Sequence, residues 1–98
     1  MVESNNNHHL DASKLEEGVT HVLALYEGSC FPGLVVKLKK KTVEVSCMGK
    51  NGLFGWKWPQ YPDIHDYPLE NLVAVISPPE ALNKRNNYSV PEADYYWD

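Results

Sequence analysis

A small all-β barrel of five short strands is the fold this sequence predicts, and three observations predict it. Apolar residues recur with period two in several short runs, and clusters of glycine, proline and polar residues separate those runs. The third observation is length. At 98 residues the chain supports one domain with one core, and five short strands laid out as an open sheet would leave a face uncovered. Curling into a barrel shares one core and removes the edges.

Residues 1–13 are rich in Asn, His and Ser without periodicity, so they read as a solvated arm, and residues 14–17 read as a single turn leading into the first strand. Strand one is expected over residues 19–26, where Val19, His21, Leu23 and Leu25 alternate with Thr20, Val22, Ala24 and Tyr26 and both faces are fairly apolar. Glu27, Gly28 and Ser29 form a turn cluster. Phe31-Pro32-Gly33 then leads into strand two at residues 34–38, with the proline suited to a strand entry or edge. Lys39, Lys40 and Lys41 make a charged hairpin tip before strand three, residues 42–48, and such a run discourages edge-to-edge pairing.

Residues 49–52 carry two glycines and read as a second turn, followed by a short aromatic strand four at residues 53–58. Residues 59–68 hold three prolines and read as an irregular connection across one end of the sheet. A helical turn at residues 68–71 precedes an apolar fifth strand at 72–76, ended by Ser77-Pro78-Pro79. The expected organisation is a flexible arm at 1–17, the barrel at 18–79 and an irregular C-terminal extension at 80–98.

Composition narrows the function. Hydrophobic residues make up 43% of the chain and charged ones 22%, the balance of a globular protein. The longest nearly apolar stretch, residues 72–79, is far short of a bilayer span, and the N-terminus has no signal-peptide core, so neither membrane nor secretory targeting is expected. Cys30 and Cys47 stand in no paired spacing, which favours reduced thiols in an intracellular, nuclear or cytoplasmic, protein. The net charge of −4 makes a cationic partner an easier match than nucleic acid.

The run Leu23-Ala24-Leu25-Tyr26-Glu27-Gly28-Ser29-Cys30-Phe31-Pro32-Gly33-Leu34-Val35 resembles the first hairpin of Tudor-like (Src-homology-3-like) domains, where an aromatic ends strand one, an acidic or glycine turn follows, and an aromatic-small pair opens strand two. A longer string, from Val45-Ser46-Cys47-Met48 through Trp56-Lys57-Trp58-Pro59, Asp63, Tyr67-Pro68 and Ile76 to Asn83, Arg85 and Tyr88, looks like modules of transposon-derived or zinc-finger-containing eukaryotic proteins. The Tudor-like resemblance implies a chromatin-associated reader that takes a cationic side chain, methylated Lys or Arg among them, from a peptide such as a histone tail. Its cage is aromatic because ring faces attract a desolvated cation.

Tyr26 and Phe31 match the first two cage positions of that family. Its third and fourth positions correspond here to Ser46, Met48 and Gly49, so Trp56 and Trp58, two apart on one strand face, are the residues expected to complete the cage. Tyr61 and Tyr67 are placed for surface display, and Asp63 with Asp66 would supply negative charge. The same aromatic surface would also suit a proline-rich peptide. Set against this, aromatics in a small barrel are often core, and one of Trp56 and Trp58 is expected to be core material.

Other classes fit less well. Catalysis would need Cys30 or Cys47 with His21 or His65, a pairing unremarkable by chance, and a metal site would need the same four residues from separated elements. No enzyme activity, cofactor or metal is expected. Nucleic acid would be held by the Lys37 to Lys41 hairpin with Lys50 and Lys57, and Trp56 or Tyr61 stacking on bases. An assembly domain of a larger protein would pack its exposed aromatics and tail against other parts of that protein. A monomer that binds a protein or peptide is the preferred reading.

Overall fold

Strand β1 (His21–Tyr26) runs directly into β2 (Ser29–Leu38) through Glu27 and Gly28. Both turn residues have positive φ, 49° and 84°, the two-residue hairpin geometry whose twist matches that of the flanking strands. Strand two therefore begins at Ser29 rather than residue 34. Pro32 sits inside it, opposite Leu23. This central strand tolerates the proline because its carbonyl, accepting from Met48 N–H at 2.8 Å, points past the last β2–β3 rung at Gly33 and Cys47; the ring nitrogen faces the same way, beyond the ladder.

The computed structural model describes residues 10–52 and 55–96, and it is all-β in its main architecture. The lysine hairpin forms as expected between β2 and β3 (Thr42–Cys47), closed by Lys39 N–H donating to the Thr42 carbonyl at 2.9 Å. Strand β7 (Leu72–Ile76) pairs with β1 as the expected fifth apolar strand, preceded by a 3₁₀ turn at Leu69–Asn71.

Residues 59–68 correct the reading of the sequence. They were expected to be irregular, yet Asp63–Pro68 form β6, paired along its length with β3 from Cys47↔Asp63 to Thr42↔Pro68. Pro59 and Pro62 precede this strand and Pro68 ends it, so the prolines bound the segment instead of breaking it. The resulting antiparallel sheet has the order β6-β3-β2-β1-β7.

Closure into a barrel is not shown by hydrogen bonding: β6 and β7 are the two edges, and among the described residues no ladder joins them. Both edges nevertheless converge on one core. Tyr67 of β6 and Leu72 of β7 are buried with Val22, Ala24, Val35, Val43, Val45 and Cys47, and the 3₁₀ turn between the edges touches both β1 and β6. Leu15 completes this core, and Leu10 packs against it. Residues 10–17 were expected to belong to a flexible arm; they are ordered instead, through a 3₁₀ turn at Ala12–Lys14 whose Asp11 carboxylate accepts from Ser13 N–H. The remainder of the expected arm, residues 1–9, lies outside the described residues.

The C-terminal extension, expected to be irregular, builds a second sheet. Strands β4 (Gly49–Asn51), β5 (Gly55–Lys57), β8 (Glu80–Asn83) and β9 (Asn87–Ser89) associate in the order β4-β5-β9-β8. Residues 49–51, read as a turn, are thus a strand, and of strand four the described part is Gly55–Lys57. Asn86, at φ 57°, turns the β8–β9 hairpin, and a short helix α1 (Pro91–Tyr96) follows.

Leu23, Cys30, Met48, Trp56, Ile76, Val90 and Ala93 form a second buried cluster between these layers. Side chains alternate along β1, with Val22 and Ala24 in the first core and Leu23 in the second. Strand one reads as apolar on both faces because both faces are covered. Among the described residues no helix is long and apolar enough to cross a membrane.

Candidate functional site

The site grows out of the β3–β6 register. Asp63, His65 and Tyr67 alternate along β6 and pair with Cys47, Val45 and Val43 of β3, and directly paired residues share a sheet face. Val45 and Val43 lie in the first core, so the three β6 side chains stand on the core face, at its open end. Tyr26 ends β1 on the same face as Val22 and Ala24, and Phe31 of β2 pairs with Ala24. Together with Cys47, Met48 and Gly49, these side chains enclose a cavity of about 170 Å³, many times the roughly 10–15 Å³ that one water requires.

Four rings shape the cavity. Tyr26 and His65 stack with centroids 5.8 Å apart and planes 21° apart. Tyr67 meets His65 edge-on at 6.2 Å and 72°. The Phe31 ring meets Trp56 edge-on at 6.2 Å and 82°, which braces this wall against the second core. Asp63 contributes the negative charge, and its Oδ1 lies 2.7 Å from His65 Nε2. Among the described residues the lining contains neither Lys nor Arg.

Below these groups Cys47 Sγ lies 3.3 Å from the Tyr67 hydroxyl, both residues being buried. Burial pushes the Cys47 thiol up, only partly offset by the hydrogen bond to Tyr67. Burial likewise pushes the Tyr67 phenol well above its usual value, reinforced by the hydrogen bond to Cys47. Both therefore stay protonated near neutral pH, and a thiol held neutral is a poor nucleophile.

Of the residues singled out from the sequence, the structure brings Tyr26, Phe31, Asp63 and Tyr67 together in this cavity. Trp56 and Trp58 do not line it. Trp56 is fully buried, 0% exposed, in the second core, and Lys50 Nζ lies 4.8 Å from its ring centroid. Trp58 packs against the same core, its backbone N–H and carbonyl bonded to the Asn86 side-chain amide. Tyr61 is 78% exposed and outside the cavity.

Met48 and Gly49, which hold the third and fourth cage places of the resemblance, also line the cavity, as do His65 and Cys47, which the sequence reading weighed only for catalysis or a metal. The signal for His65 was the period-two alternation Asp63, His65, Tyr67, masked by the prolines around it. Among the described residues no three His, Cys, Asp or Glu side chains gather closely enough to hold a metal ion. No family model matches this chain, and no curated protein or solved structure matches it either.

Proposed function

We propose that this chain is a non-catalytic binding module of the Tudor-like barrel type that takes a cationic side chain, a methylated or unmodified Lys or Arg of a partner protein, into the cavity between Tyr26, Phe31, His65 and Tyr67. One observation carries this reading: four rings and one carboxylate surround an open cavity whose lining, among the described residues, holds no Lys or Arg. Each ring face contributes about 0.5–2 kcal/mol to holding a cation, more as water is excluded. Asp63 adds the opposite charge and a hydrogen-bond acceptor. A nuclear protein with an exposed basic tail, such as a histone, is a partner of this chemistry.

Two further observations weigh on the alternatives. Lys39, at the centre of the basic hairpin, is tied to Glu44 at 2.8 Å and Asp66 at 3.1 Å, which reduces the charge the hairpin offers to phosphate. The Cys47 thiol is kept neutral by burial, which counts against nucleophilic catalysis. The test is a titration of the chain with peptides bearing Lys or Arg in unmodified and methylated forms, alongside single-stranded and duplex DNA. Peptide binding that weakens severalfold in Asp63→Asn and in Tyr26→Ala supports the reading; DNA binding that strengthens at low salt without any peptide binding overturns it.

A further inference from the structure

The neighbour that orients the carboxylate of this site is itself able to become a cation. An ionised carboxylate only accepts hydrogen bonds, so the 2.7 Å contact between Asp63 Oδ1 and His65 Nε2 puts the imidazole hydrogen on Nε2. In its neutral form the ring fixes one oxygen of Asp63 while its plane lies against Tyr26 and its neighbour Tyr67 meets it edge-on. The other carboxylate oxygen is left for a guest. The His65 side chain is 45% and that of Asp63 56% exposed, so solvent reaches both.

A second proton on the ring changes the site in two ways. The imidazolium takes the charge of Asp63 for itself, and it places a positive charge in the wall of a cavity meant for a cation. We infer that His65 is a positioning residue for cation capture, holding Asp63 ready as the neutral imidazole, and that protonation of His65 and occupation of the cavity by a cation oppose one another. This rests on the reading of the cavity as a cation site.

The surroundings leave His65 as the group that switches. The titratable groups facing it are Tyr26 from β1, Cys47 from β3, and Asp63 and Tyr67 from its own strand. Cys47 and Tyr67 are both pushed up by burial and keep their protons through the range in which histidines change charge. Lys39 belongs to the other face, where it pairs with Glu44 and Asp66. Two like charges at about 6 Å, in surroundings between those of a protein surface and bulk water, weaken binding roughly three- to tenfold.

The experiment titrates the full chain with the methylamide of acetylated dimethyl-lysine and follows the His65 Cε1 proton by magnetic resonance between about pH 5 and pH 8. The wild type should bind roughly three- to tenfold more weakly at the acid end. By reciprocity, saturation with the probe should move the His65 titration midpoint down by about half to one pH unit. His65→Gln keeps an N–H for Asp63 but cannot take a proton; having lost one ring of the cavity it should bind more weakly than the wild type near pH 8, and show no further loss in acid.

Probe binding that needs Tyr26 and Asp63 yet is equally tight across the range, or a His65 midpoint unmoved by saturation, removes this role for His65 and leaves the cation site standing. A His65→Gln variant with the wild-type loss in acid also overturns it. Absence of probe binding at every pH overturns both the inference and the reading beneath it.

Discussion

Tyr26 and His65 stack face to face, centroids 5.8 Å apart, although β2 and β3 separate their strands in the sheet. In a flat sheet three strand spacings would hold β1 and β6 about 14 Å apart, so the contact records how strongly the sheet curls at this end. Tyr26 reaches the contact from the end of its strand and remains 48% exposed. Its replacement by Ala should cost about 1 kcal/mol of cation binding, roughly fivefold in affinity, and leave the thermal midpoint nearly unchanged. Calorimetric titration and a melting curve on the same sample check both halves; a Tyr26→Ala protein that melts many degrees lower would make Tyr26 a structural residue.

Phe31 should behave differently because it has two duties. Its ring lines the cavity, yet it also packs edge-on against Trp56 and joins the second core. Phe31→Ala is expected to weaken cation binding as Tyr26→Ala does and, being only half-buried, to lose part of the about 3–5 kcal/mol typical of a fully buried Phe→Ala change. Urea denaturation measures the second effect. Equal stability of the two variants would show that the Phe31–Trp56 contact contributes little.

The difference between these aromatics shows which parts of the fold were legible in the sequence. Period-two alternation located β1 and β3, the three lysines between two β-runs located the hairpin, and a short apolar run located β7, because local patterning dictates those elements. The Tyr26 and Phe31 pair was legible through the turn between them. What local pattern could not reveal was which aromatics are covered from outside. Trp56 and Trp58 looked suited to a cage until Val90, Ala93 and Tyr88, far along the chain, supplied a layer to pack on. Strand β6 was hidden for a different reason: proline composition dominated the segment, while its pairing with β3 depends on register across some 20 residues.

The second layer should therefore be essential to stability. Trp56→Ala empties the largest fully buried side chain and is expected to cost about 3–5 kcal/mol. Truncation at residue 79 removes β8, β9 and α1 and exposes Leu23, Met48 and Trp56; the shortened chain should lose its cooperative melting transition. A truncated chain that melts within a few degrees of the full chain would show that the first core suffices by itself.

Gly33 provides a test of the β2–β3 contact under the site. A Cβ added there would lie 2.5 Å from Val45 Cγ1 and 2.8 Å from the Ser46 carbonyl oxygen, and the backbone atom of the pair is not free to yield. Gly33→Ala should cost about 1–3 kcal/mol through overpacking, and it should also disturb the cavity because Cys47, directly opposite, lines it. Denaturant titration of this variant would contradict the close approach if its midpoint equalled that of the wild type.

His21 makes the fold itself sensitive to acid at a point separate from the cavity. Its Nδ1 is buried and makes no hydrogen bond among the described residues, and its ring lies 6.4 Å from that of Trp58. Burial pushes its pKa below the ordinary value, more strongly than the nearby Val19 backbone raises it. The folded protein thus favours the neutral imidazole, whereas the unfolded chain takes up its proton near pH 6.5, about the ordinary histidine value. The stabilisation is fully present above that pH and is lost as pH falls toward the depressed folded value, because the unfolded state then binds the extra proton. Melting temperature should be level above about pH 7.5 and decline toward pH 5, and His21→Gln should flatten that decline while His65→Gln leaves it in place. An equally steep decline in His21→Gln would assign the acid sensitivity to another group.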